Sequence, residues 1–182
     1  MKPRILALVL AAIAFAIPVR ADNQSASYAG QQARSIKSLS AEDVAALLKG
    51  EGMGMAKAAE LNGYPGPVHV LTLASELGLT ESQRQQVQAI LDRMSAAAKP
   101  LGAKWVEREQ VLDGLFVRGE ITAERLVAEI AVIGELQARL RSVHLAAHLE
   151  TRALRNPDKI DRYLHLRGYA DPASPPSHHH HG

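Results

Sequence analysis

The sequence predicts an all-α protein built on a long antiparallel helical hairpin with short flanking helices. Apolar residues recur at helical spacing through two long stretches, residues 81–118 and 122–154. The connection between them, around Gly119-Glu120, is so short that the two helices must run antiparallel and cover each other's apolar stripes. No segment has the alternating period of a strand.

In chain order, Met1-Lys2-Pro3-Arg4 is a basic start to an uncharged run over residues 5–17, followed by Pro18 and the small-residue signature Val19-Arg20-Ala21. This is the layout of a secretory signal peptide over residues 1–21, and it places the mature protein outside the cytoplasm. Retention of the segment as an anchor is the alternative, although the run is shorter than the roughly 20 apolar residues of a span. The chain holds 21 Lys and Arg against 19 Asp and Glu, and loss of Lys2, Arg4 and Arg20 with the signal reverses the balance. Global charge then offers no case for nucleic-acid binding. With no cysteine, thiol catalysis and thiolate metal sites are excluded, and cohesion must come from the core or from oligomerisation.

Residues 22–39 are polar and small and read as a disordered linker. A short helical segment spans residues 40–63. Ser40 begins a helix with early acids Glu42 and Asp43, and Gly50 ends it. A flexible Gly50–Gly54 stretch follows, then a short helix over residues 58–61 stopped by Asn62-Gly63. Pro67 suits the first position of a helix over residues 67–77 closed by Gly78.

Thr80 and Gln83 have capping-box spacing and open the main helix. Its stripe is Val87, Ile90, Leu91, Met94, Leu101, Trp105, Leu112, Leu115 and Phe116, with a kink expected ahead of Pro100. Thr122 caps the second long helix, whose inner side is read as Leu126, Ile130, Ile133, Leu140, Val143, Ala147, Thr151 and Leu154. Asn156-Pro157 starts a last short helix ending near Gly168, and a Pro/Ser-rich tail over residues 170–182 ends in His178, His179, His180 and His181.

"LGLTESQ", with Leu79, Thr80 and Gln83, resembles the LTxxQ motif of the Spy/CpxP family of periplasmic stress proteins and their zinc-, nickel- and cobalt-responsive relatives. "RALRNPDKIDRY" stands where that family has its second such segment, with Asn156 for Thr and Lys159 for Gln. The resemblance covers residues 64–169. It implies a four-helix, cradle-like body that dimerises through its long helices, acting in metal or envelope stress. It also implies two other roles: an ATP-independent chaperone for unfolded clients, or an adaptor for a membrane-bound sensor or anti-sigma partner.

His144 and His148, four apart on the second long helix, can coordinate Zn²⁺, Ni²⁺, Co²⁺ or Cu²⁺ together. With the turn near residue 120, position 144 falls level with 96 and 148 with 92, so Asp92 is expected near His148. His69 is expected to complete the site. The metal-responsive relatives have a similar His-x-x-x-His or His-x-x-x-Met pair. The alternative for both histidines is a place at the edge of the helix seam. The terminal His178–His181 run reads either as a native metal-binding tail or as a tag remnant. Met53 and Met55 offer thioethers to Cu(I) or serve as apolar filler. No nucleophile–base constellation or nucleotide-binding string is present, so no enzymatic activity is expected.

Overall fold

The computed structural model describes residues 27–154 and 156–170. The expected export segment and the His178–His181 tail lie outside these residues. The chain divides into two compact units, Met1–Gln32 and Ala33–Gly182. Of the first, the described part is a turn over residues 27–30 and the opening of a 3-10 turn, Gln31–Ala33.

The second unit is helical, with no strand among the described residues: α1 Ala41–Lys49, α2 Lys57–Glu60, α3 Pro67–Thr72, α4 Glu81–Val117, α5 Ala123–Ala153 and α6 Pro157–Leu166. Its ends follow the capping chemistry of the sequence. Ser40 and Asp43 form a reciprocal capping box at α1, and Gly50 closes it in the left-handed conformation (φ 73°). Thr80 and Gln83 form the same box at α4, with Thr80 Oγ1 accepting from the Gln83 N–H at 3.2 Å. Thr122 caps α5 and Asn156 caps α6, each accepting one backbone N–H.

The hairpin of α4 and α5 has the expected antiparallel register. Arg108 pairs with Glu129 near the turn, and Arg93 reaches Glu150 at 2.6 Å much farther from it. Buried positions on α5 are Ile133, Leu136, Leu140, His144, Ala147, His148 and Thr151, a single stripe at near-heptad spacing. Shorter helices cover only the part of the hairpin distant from its turn, α1 packing on α4 and α3 on both long helices. Two clusters result. Leu47, Ala98 and Leu140 join α1 to the hairpin, and Val70, Leu77, Val87 and Tyr163 join α3, α4 and α6. Burial of each large aliphatic side chain is worth roughly 1.5–3 kcal/mol.

Three expectations are revised. Leu126 and Ile130, read as inner residues, are exposed, as are Phe116 and Val117, because among the described residues α1, α2 and α3 pack on other parts of the hairpin. The regular part of α3 ends at Thr72, and the chain tightens into turns that still bury Ala74 and Leu77 before Gly78 hands over to Thr80. Pro100 lies inside α4, which runs through it as expected to Val117. Both Pro100 and Ala96 are exposed, so the carbonyl left without an N–H partner stands on the wet side of the helix. The linker reading fails from Ile36 onward. Ile36 is buried, Lys37 pairs with Asp113 at 3.0 Å, and Ser38 donates to Glu109 at 2.7 Å.

One close approach sets how tightly α1 lies on α4. Gly102 faces the Leu47 carbonyl so closely that a Cβ there would collide with backbone atoms. Alanine normally stabilises a helix interior by about 1 kcal/mol over glycine. Gly102→Ala should instead destabilise by about 1–3 kcal/mol through overpacking. Urea denaturation followed by circular dichroism checks the sign.

Candidate functional site

α5 carries His144 and His148 on its buried stripe, and α3 carries His69 in a partly buried position. The three rings line two neighbouring cavities of about 330 and 340 Å³, one bordered by the Gly52–Gly54 loop and by Arg167 and Tyr169 just after α6, the other by the start of α3 and Leu91 and Met94 of α4. The packing of α3 on both long helices thus brings His69 beside His144 and His148. Asp92 does not join them. Its carboxylate is exposed, accepts from the Gln88 side chain at 2.8 Å and lines neither cavity. Asp92 stands level with His148 along the hairpin, but on a different face of α4 from Val87 and Ile90, which point inward. Among the described residues, no group of three or more His, Asp or Glu is arranged to hold a metal ion.

The two α5 histidines are held differently. His148 Nδ1 lies 2.7 Å from the Tyr64 carbonyl. A carbonyl only accepts, so Nδ1 carries the proton and the lone pair of the neutral ring is on Nε2. Arg152 fixes this loop in turn, donating to the Gly63 carbonyl and lying 5.2 Å over the Tyr64 ring. Gly66 passes close to the other side of the imidazole, where a Cβ would stand 3.0 Å from Nε2 and Cε1. His144 is 3 % exposed, and its Nε2 is buried without a hydrogen-bond partner. Gly52 runs against its other edge, where a Cβ would stand 3.4 Å from Nδ1.

Glu60, at the end of α2, is the residue that sequence reasoning missed. It is 8 % exposed. Its carboxylate accepts from the Gly66 N–H at 3.0 Å and from the Tyr163 hydroxyl, stands 3.5 Å from Arg167 Nε, and lies 3.8 Å from His148 Nδ1. One acid thereby joins α2, the start of α3, α5 and α6 around the histidines. Burial, followed by the Glu60 contact, pushes the Tyr163 phenol far above its usual range, so it stays a donor. The local sequence "AAELNGYPGP" carries no pattern that marks Glu60 as buried.

Leu79, Thr80 and Gln83 sit elsewhere, at the α4–α6 junction. Leu79 packs beside the Val70–Tyr163 cluster. Lys159 sends its ammonium to the Gly78 carbonyl at 2.7 Å and to Gln83 Oε1 at 3.2 Å. The starts of α4 and α6 are therefore tied by one cation. No protein-family model, curated protein or solved structure matches the chain.

Two outcomes follow from this geometry. Glu60→Ala leaves a phenol and a backbone N–H without their acceptor and Arg167 without its neighbouring carboxylate. It should cost about 3–5 kcal/mol in urea denaturation, against about 1–2 for Tyr163→Phe. The second concerns pH. Burial holds His144 below its ordinary 6.5, helped by the nearby His148, and burial followed by Arg167 does the same to His69. In the unfolded chain these rings protonate as pH falls through about 6.5, whereas folded rings stay neutral to lower pH. Stability is then full above 6.5 and declines below it. The urea midpoint should be lower at about pH 5.5 than at about 7.5, and His144→Leu should narrow the gap.

Proposed function

We propose that this chain is an exported, periplasmic metal-binding stress protein of the Spy/CpxP-like type, a homodimer whose His144 and His148, aided by His69, take up a divalent transition metal. One observation carries the reading: three imidazoles share adjoining cavities, and the Nε2 of His144 is buried with no partner. A buried lone pair without a donor is costly, and a metal ion would satisfy it. The donor chemistry also fits. Metal binding needs neutral imidazole, and burial favours that form of His144 and His69. A carbonyl orients His148, as outer-shell carbonyls do for metal-bound histidines. The LTxxQ-like opening at Leu79, Thr80 and Gln83 supports the family part of the reading.

The test is calorimetric titration of Zn²⁺, Ni²⁺, Co²⁺ and Cu²⁺ into the full chain with His178, His179, His180 and His181 replaced by serine. The His144→Ala/His148→Ala variant should lose at least about tenfold in affinity for the preferred ion. Unchanged affinity, with helicity preserved by circular dichroism, removes the site.

A second reading, a chaperone or adaptor for unfolded clients or a membrane-bound signalling partner, is favoured by a different observation. Val111, Phe116, Val117, Val127 and Ile130 leave an apolar surface open near the hairpin turn. Suppression of client aggregation that survives in the double histidine variant, but is lost in Phe116→Ser/Val127→Ser, supports it.

A further inference from the structure

The glycine-rich loop between α1 and α2 holds two methionines, and the fold gives them different surroundings. Met55 packs against the Leu47, Ala98 and Leu140 cluster. Met53 is 41 % exposed and lines the cavity that His69, His144 and His148 share. Met53 is also the non-glycine residue with positive φ (46°) among the described residues, next to Gly54 at 78°. Such a conformation costs on the order of 1–3 kcal/mol in a non-glycine residue and persists only where its surroundings hold it. Gly52, the residue before Met53, lies beside the His144 ring, which places the methionine at the same wall of the cavity.

The carboxylates near this cavity each already have a partner. Glu60 is taken up by Gly66, Tyr163 and Arg167, and Asp92 by Gln88. Glu51, beside the second cavity, faces Lys49 at 3.9 Å. Beside the imidazole nitrogens, the cavity offers the Met53 thioether. A thioether is a poor ligand for hard divalent ions and a good one for soft monovalent ions.

We propose that this site selects a soft monovalent ion of the Cu(I) or Ag(I) class, with Met53 Sδ as a ligand beside His144 and His148. The inference rests on the reading of the histidine cluster as a metal site, and narrows it to an ion class and one more ligand. Binding involves no redox step: the ion enters already monovalent and displaces only solvent and any ring proton.

The test uses Ag(I) nitrate in chloride-free buffer, and Cu(I) under anaerobic competition with a chromogenic chelator, against Zn²⁺ as the hard comparison. The protein is the full chain carrying serine at 178–181. Met53→Leu keeps the side chain's bulk on an exposed loop. It should weaken Ag(I) and Cu(I) by about tenfold or more while changing Zn²⁺ affinity less than about twofold. Equal Ag(I) affinity in parent and Met53→Leu overturns the thioether ligand. Equal losses for Ag(I) and Zn²⁺ overturn the selectivity. If His144→Ala/His148→Ala leaves both ions bound as before, the metal reading itself fails, a result distinct from either of the others.

Discussion

The arrangement around the histidines depends on one buried carboxylate. Glu60 sits where α2 ends, and its oxygens accept from the backbone of Gly66 and the phenol of Tyr163 while Arg167 stands beside them. A buried acid is tolerable only with such partners, and each partner comes from a different part of the chain. That requirement pins α6 across the open end of the hairpin and holds the Tyr64-Pro65-Gly66 segment against His148. The carbonyl of Tyr64 then sets which nitrogen of His148 is left bare. An arrangement made for stability thereby sets the chemistry of the neighbouring ring.

The hairpin supplies the frame within which this can happen. Its two long helices are locked by ion pairs far apart along the seam, and the shorter helices gather at the end remote from the turn. Coverage is uneven for a plain reason. α1, α2 and α3 together are short against the length of α4, so they bury one end and leave the other apolar. The histidine-lined cavities lie at the covered end, while Phe116, Val117, Val127 and Ile130 stand exposed at the bare end.

Lys159 shows how one side chain can join two helix starts. It stands in the first turn of α6 and reaches across to Gly78 and Gln83 at the start of α4. Asn156 alone caps α6. The bond between helices is one a lysine can make because its long stem and ammonium span the gap.

Most helix limits were legible because caps are local chemistry. Ser40, Thr80, Thr122 and Asn156 each satisfy N–H groups within their own turn, and Gly50, Gly78, Gly119 and Gly168 adopt left-handed turns that few other residues take. The antiparallel register was legible too, because a short connection leaves the helices no other course; the docking of α3, which puts His69 beside His144 and His148, is a matter of packing. Spacing along a helix cannot say which way a residue at a given level faces, so Asp92 was placed level with His148 but turned to solvent. Nor could composition reveal that Glu60 is buried, that Ile36 docks, or that Met53 and Met55 part company. Each of those depends on what a distant segment offers when it arrives, and only the packed tertiary structure brings such segments together.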